Sequence, residues 1–301
     1  MKLNIALCTD ENFVVPALVC ITSIFESNCQ DECRITILTE GISEESHEKF
    51  TKLASTYHQA IQVVVINPEK FRTLKSYDRY PTSMYFRFLL PEILKEESKV
   101  LYLDCDIMVR RPLRDLFDIN IKNYSCGAVI DQQCDDVQII NRLRLNTRYF
   151  NSGVMMLNLD AWRKNNYTKK LIDFIEENPN KCVFPDQDAL NAVLSGTVKY
   201  LPLSYNLQEM WLTMLDYARF SYRHYPELED AKKDPIIIHF CVNDKPWYME
   251  CKNPYKEEYL NIALLHDFIG FKQKKHYKGL YYRLEAEKIR LQRWQQHFID
   301  K

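Results

Sequence analysis

Two carboxylates stand one residue apart at the end of an apolar run, Lys99-Val100-Leu101-Tyr102-Leu103-Asp104-Cys105-Asp106. If the backbone turns there, both can reach one hard divalent cation, and that cation can neutralise a diphosphate. Alone the pattern is weak, because a chain with 41 acids also places such pairs in solvated turns. A second apolar run, Pro235-Ile236-Ile237-Ile238-His239-Phe240, ends on a histidine. An imidazole nitrogen added to two carboxylates makes an O,O,N ligand set. That set suits manganese or magnesium and leaves coordination positions for phosphate oxygens. A lone histidine after an apolar run is more often a hydrogen-bonded core residue. What distinguishes His239 is its continuation, Asp244-Lys245-Pro246-Trp247. Lys245 can meet phosphate as a point charge, and the Pro-Trp pair can fix the loop that carries it.

Such groups need a scaffold that brings distant segments together. Val100 to Leu103 reads as a short buried strand of a mainly parallel sheet. In open α/β sheets, ligands bind beyond the carboxyl ends of the strands, where Asp104 and Asp106 fall. Upstream, Leu3 to Cys8 reads as a strand and Val15 to Glu26 as a helix, with apolar residues at Val15, Leu18, Val19, Ile21 and Phe25. Arg34 to Leu38 is a second strand, Ser43-Glu44-Glu45-Ser46 opens a helix to about Tyr57, and Ile61 to Ile66 is a third strand. This β-α-β-α-β order predicts an α/β fold with right-handed crossovers. Met84 to Leu90 predicts the start of a helix, Cys126 to Asp131 and Val154 to Leu159 predict strands, and Asp186 to Leu194 predicts a helix.

Composition removes several classes. The 301 residues carry a net charge of −1, so no overall field argues for nucleic acid. No apolar stretch approaches the ~18 residues of a membrane helix. No basic segment with an apolar core opens the chain, so no signal peptide is expected. The ten cysteines form no C-x-x-C pair and read as reduced cytosolic thiols. With only 6 glycines, neither the dinucleotide fingerprint G-x-G-x-x-G nor a P-loop is present.

The composition changes after about residue 265. Residues 271–301 hold nine lysines and arginines against three acids, a net charge of +6, interleaved with Phe271, Tyr277, Tyr281, Leu284, Leu291, Trp294 and Phe298. This predicts a basic amphipathic tail, residues 266–301, appended to a catalytic domain over residues 1–265. Such a tail either packs on the domain or meets an anionic membrane surface.

Taken in order, Asp104-Cys105-Asp106, Phe150-Asn151-Ser152-Gly153-Val154, Asp186-Gln187-Asp188 and His239…Lys245-Pro246-Trp247 resemble the motifs of family 8 glycosyltransferases. That family includes bacterial lipopolysaccharide galactosyl- and glucosyltransferases and, more distantly, glycogenin. The resemblance runs from about residue 3 to residue 250, and Ile5-Ala6-Leu7-Cys8-Thr9-Asp10-Glu11-Asn12-Phe13 resembles the family's first strand and nucleotide-binding loop. It implies a GT-A type fold and a metal-dependent, retaining transfer of hexose. The implied donor is UDP-glucose or UDP-galactose with Mn²⁺ or Mg²⁺, and the acceptor a glycan or lipid-linked saccharide. The implied setting is cytoplasmic, with the tail as a peripheral contact to the inner face of the membrane.

Residue by residue, the resemblance places Cys8, Thr9, Asp10 and Asn12 around uracil and ribose, although Asp10 and Asn12 would equally cap the helix before Val15. It places Asp104, Asp106 and His239 on the metal, Cys105 in the donor-binding turn, and Lys245 on the diphosphate. It places Arg87, Asn151, Ser152, Asp186, Gln187 and Asp188 toward the sugar. Arg87 lies in Tyr85-Phe86-Arg87-Phe88, where a guanidinium on an apolar face needs a carboxylate or hydroxyl partner. The position where a double displacement would need a carboxylate is Gln187, a poor nucleophile, so same-face transfer is favoured and Asp188 is the alternative nucleophile. One residue departs from the pattern: Val242 stands where the family usually has glycine, so either the loop runs a different course or the backbone contact to the diphosphate is weakened. The same ligands would also serve a metal-dependent phosphohydrolase of nucleotide sugars, which gives no reason for Phe150-Asn151-Ser152-Gly153 or Lys245-Pro246-Trp247. A non-catalytic membrane-associated nucleotide-sugar binder is the third reading, and the intact Asp104, Asp106 and His239 argue against it.

Overall fold

Leu101 and Leu103 face one way from their strand and Val100 and Tyr102 the other, and all four are buried. A strand buried on both faces belongs inside a sheet covered by two layers. The computed structural model describes residues 1–74, 81–215, 218–242 and 245–266. The strands are β1 (Lys2–Cys8), β2 (Glu32–Thr39), β3 (Ala60–Val65), β4 (Lys99–Leu103), β5 (Ile107–Val109), β6 (Cys126–Ile130), β7 (Phe150–Asn158), β8 (Val198–Tyr200), β9 (Leu207–Gln208) and β10 (Ile237–His239). Seven form a central sheet in the order β3-β2-β1-β4-β7-β6-β8, and β5-β10-β9 form a smaller one. β1, β2, β3 and β4 run parallel, whereas β7 is antiparallel to both of its neighbours.

One core lies on the Leu101 and Leu103 side of the sheet, under helix α1 (Val14–Ser27) and helix α2 (Glu44–Tyr57). The other lies on the Tyr102 side, with Phe86, Phe88, Trp162 and Leu190. α1 is apolar almost all round and is buried from Val14 to Phe25 save Val15, as expected of a helix with no solvated face. Its polar side chains tie it to the smaller sheet. Ser23 Oγ accepts from the Val109 amide at 2.9 Å, and Asn28 Oδ1 accepts from the Leu113 amide at 2.7 Å. Asn28→Ala should therefore leave a buried amide without a partner and cost about 1–3 kcal/mol, read by chemical denaturation.

The expected elements over residues 3–66 are present, with boundaries shifted by a few residues. Three differences matter. Met84 to Leu90 is not the start of a long helix but the end of a 3-10 segment, Thr82–Leu89, followed by one α-turn. Pro91 has no amide to give to the Arg87 carbonyl, so the Leu90 amide takes it three residues on. The strand expected from Val154 begins at Phe150 and is buried along its whole length. Its polar start is tolerated because Asn151 and Ser152 find partners inside the fold. The smaller sheet was legible only as the apolar run before His239.

The tail expected over residues 266–301 lies, apart from His266, outside the described residues. Among the described residues, no helix is long and apolar enough to cross a membrane.

Candidate active site

The turn between β4 and β5 passes from the large sheet to the small one and carries Asp104, Cys105 and Asp106. It is pinned from both sides. The Asp104 amide donates to the Gly153 carbonyl at 2.9 Å, and the Phe240 amide donates to the Asp106 carbonyl at 3.0 Å. Antiparallel pairing of β10 with β5 sets His239 opposite Ile107, one residue past Asp106. His239 Nε2 then lies 3.2 Å from Asp106 Oδ1 and 3.8 Å from Asp104 Oδ2. One ligand atom from each of these three residues falls within 4.8 Å of the others.

The donor set fits a hard divalent cation on two further observations. Asp106 Oδ1 is buried and makes no hydrogen bond, a costly state that a cation would relieve. Gly153 leaves the room: a Cβ built there would lie 2.2 Å from His239 Cε1 and 2.8 Å from Asp104 Oδ2. Lys245 Nζ donates to Asp106 Oδ2 and to the Phe240 carbonyl. Burial pushes the Asp106 carboxyl upward, but the charge beside it, foremost the Lys245 ammonium, holds the group below the usual carboxylate range.

These residues line one cavity of about 740 Å³. Cys8, Thr9, Asp10 and Asn12 form its wall at the carboxyl end of β1, and Asp10 also caps the short turn after it by accepting from the Phe13 amide at 3.0 Å. Arg87, Asn151, Ser152, Asp186 and Gln187 also line the cavity. Arg87 is buried, donates to Asp104 Oδ1 and to the Ser152 carbonyl, both at 2.9 Å, and forms an ion pair with Asp186 Oδ2 at 3.1 Å. Burial opposes its charge, but the acidic groups around it, Asp186 and Asp104 among them, outweigh that and keep it protonated. Cys105 and Lys245 also line the cavity. Burial pushes the Cys8 thiol up to about 12 and raises Cys105 and Cys241 as well, so without a metal these thiols stay protonated near neutral pH.

Asp188 corrects the sequence reading. It does not line the cavity. Its carboxylate accepts from the amides of Val183 and Phe184 at 2.8 and 2.9 Å, from Tyr149 at 2.7 Å and from Arg142 at 2.9 Å. Two of these donors precede the helix Pro185–Val193, so Asp188 holds the start of that helix, while Asp186 and Gln187 face the cavity. Held by these four donors and set off the cavity lining, its carboxylate is not presented to a sugar bound there. Val242 lines the cavity and is not among the residues with a positive φ.

Sequence reasoning missed Asp131 and Asn206. Asp131 lines the cavity just beyond β6, and its Oδ2 accepts from Asn151 Nδ2 at 3.1 Å and from Gln187 Nε2 at 3.2 Å. The signal was available, since Val129-Ile130-Asp131 repeats the apolar-run-then-acid pattern read at Asp104. Asn206 gave no such signal, because its value depends on β9 lying beside β10. A second group of possible ligands, Cys134, Asp135 and His224, is already engaged: Arg223 donates to Asp135 Oδ1 and to His224 Nε2, both at 3.0 Å.

The residue pattern of glycosyl transferase family 8 matches residues 4–251. The chain belongs to that family. This family 8 glycosyltransferase is 28% identical to the Lipopolysaccharide 1,2-glucosyltransferase of Escherichia coli, across 99% of this chain and 87% of the relative. It is 28% identical to General stress protein A of Bacillus subtilis (strain 168), across 86% and 92%. Among solved structures it is similar to the galactosyltransferase LgtC in complex with donor and acceptor sugar analogs. The TM-score is 0.77 at 26% identity, covering 88% of this chain and 96% of that one. The family 8 enzyme thus has the GT-A type fold of that structure, with its cavity at the seam between the two sheets.

Proposed function

We propose that this glycosyltransferase moves a hexose from a UDP-sugar to a saccharide acceptor with retention of configuration, using a divalent cation held by Asp104, Asp106 and His239. The observation that carries this reading is the O,O,N cluster at the open end of β4, beside a cavity roomy enough for a nucleotide sugar. A manganese or magnesium ion bound there would neutralise charge on the departing diphosphate. Lys245, which reaches Asp106 from the far side of the cluster, would add a second cationic contact on the leaving group. Asp10 and Asn12, on the wall formed by the end of β1, would accept and donate to base and ribose.

On the sugar side, the chain supplies positions rather than a nucleophile. Asp186 is engaged by Arg87, and Asp131 by Asn151 and Gln187. The Gln187 amide is tethered at both ends, its oxygen accepting from the Ser152 amide at 2.9 Å and its nitrogen donating to Asp131. A fixed dipole of this kind can stabilise positive charge at the anomeric carbon without forming a bond to it. With Asp188 turned away, these constraints favour same-face transfer, in which the leaving phosphate takes the acceptor proton. Gln187→Ala should slow transfer by about 10²–10³-fold and leave UDP-sugar binding within a few-fold. NMR of the fresh product should show the donor's α-configuration, and a β linkage would overturn retention.

The decisive screen is thermal shift with UDP-glucose and UDP-galactose, with and without Mn²⁺. A rise that requires both nucleotide sugar and Mn²⁺ is expected. A phosphohydrolase would instead release UDP at a rate that no acceptor changes. The relatives named as lipopolysaccharide glycosyltransferases support a lipid-linked saccharide acceptor. The net charge of +6 over residues 271–301 supports peripheral attachment to anionic lipid. Truncation at Phe271 should release the protein from anionic vesicles in low-salt sedimentation, and full-length protein left in the supernatant would argue for a tail packed on the domain.

A further inference from the structure

We propose that Asn206 is a positioning residue that decides which nitrogen of His239 carries the ring proton, and that Asn151 locks Asn206 in that role. The proposal rests on the metal-site reading above, but it concerns the protein's own hydrogen bonds and is testable without metal.

The hydrogen-bond chain starts at a donor that cannot reverse, the Gly153 backbone amide. It donates to Asn151 Oδ1 at 3.0 Å. The Asn151 oxygen must therefore face Gly153, and its Nδ2 faces Asp131, whose Oδ2 accepts at 3.1 Å. An oxygen toward the amide and a nitrogen toward the carboxylate is the one orientation that satisfies both ends. The same Asn151 oxygen accepts a second hydrogen bond, from Asn206 Nδ2 at 2.9 Å. With its nitrogen committed to Asn151, Asn206 turns its oxygen toward His239 Nδ1, 3.0 Å away. An amide oxygen only accepts, so Nδ1 is the donor and carries a proton.

The consequence falls on the opposite side of the ring. In the neutral imidazole, a proton on Nδ1 leaves Nε2 with a bare lone pair. That nitrogen is the one 3.2 Å from Asp106 Oδ1 and 3.8 Å from Asp104 Oδ2. Three electron-rich atoms then converge on one point, an arrangement that suits a cation and little else. Asn206 is fully buried and Asn151 nearly so, and hence solvent does not compete for these bonds. The parallel pairing of β9 with β10, Leu207 against Ile238, places Asn206 beside the histidine. The smaller sheet thus sets the tautomer as well as the position of the ligand. Partners of this kind fix ring orientation, and removing them typically weakens metal binding 10–100-fold.

The experiment uses the full chain labelled with ¹⁵N-histidine, free of metal, at a pH where the ring is neutral. The His239 signals are assigned by their loss in His239→Gln. Long-range ¹H–¹⁵N spectra should show the Nδ1–H form in the wild type. Asn206→Leu, close in size but unable to accept, should populate the Nε2–H form and raise the Mn²⁺ dissociation constant at least tenfold, read by electron paramagnetic resonance of free Mn²⁺. Asn206→Asp in its protonated form donates to Asn151 Oδ1 and keeps an acceptor opposite Nδ1, so it should keep both the Nδ1–H form and Mn²⁺ affinity within about threefold. A wild-type ring in the Nε2–H form overturns the proposal. So does an Asn206→Leu protein that retains the Nδ1–H form and wild-type affinity. If Asn206→Leu does not fold, the wild-type tautomer and the Asn206→Asp result decide. A wild-type protein that shows the Nδ1–H form yet binds no Mn²⁺ overturns the metal reading while upholding the tautomer assignment.

Discussion

Asp106→Ala is expected to abolish the manganese-dependent rise in melting temperature that UDP gives the wild-type protein, and with it metal-dependent transfer. Asp106 supplies the one carboxylate oxygen of the cluster that is buried without a hydrogen bond. Its loss removes one of three ligands, so the diphosphate charge would go uncompensated. At ligand concentrations near one hundred times the dissociation constant, the wild-type gain is about 2.7 kcal/mol, large enough to read as several degrees. The substitution also strips Lys245 of its carboxylate partner, so the baseline melting temperature should fall even without ligand. The test is therefore the difference between curves with and without UDP and Mn²⁺. A variant that keeps the full difference would show that the metal site is misassigned.

Gly153→Ala should be nearly as damaging, although it adds only one methyl group and removes no ligand. The added carbon would sit 2.2 Å from His239 Cε1 and 2.8 Å from Asp104 Oδ2. Neither neighbour can give way cheaply. His239 is held by its strand and by Asn206, and Asp104 by Arg87 and Tyr102. Overpacking of this kind costs about 1–3 kcal/mol of stability. Mn²⁺ affinity should fall at least a hundredfold, since two of three ligands must move. Circular dichroism melts and a Mn²⁺ titration measure the two effects separately. Affinity within threefold of wild type would mean that the site lies elsewhere.

Much of the site was readable because its ligands end apolar runs. Asp104 and Asp106 follow the buried strand β4 and His239 is the last residue of β10, and a strand end is where an α/β sheet puts its chemistry. The alternation over residues 3–66 was readable for a related reason, since each strand and helix there buries a continuous apolar surface. What escaped were features that depend on tertiary partners. The polar start of β7 looks like a loop until Asn151 and Ser152 are seen to be satisfied from Asp131, Gln187 and Asn206. Asp188 looks equivalent to Asp186 in sequence, yet the helix that carries them turns one to the cavity and the other to Tyr149 and Arg142. Asn206 carries no local pattern at all. Its place follows from a two-residue strand that no periodicity reveals.

The seam between the two sheets also has a bearing on how the chain matures. Asp104 and Asp106 belong to the first half of the chain, while His239 arrives on the last described strand, which must insert between β5 and β9. Contacts between segments so distant in sequence form late, because the loop between them must close first. A nascent chain that has emerged only as far as β9 would present two acids and an asparagine but no imidazole. On the metal reading, the cluster is complete only once β10 has inserted, and Mn²⁺ uptake during refolding should not precede that step.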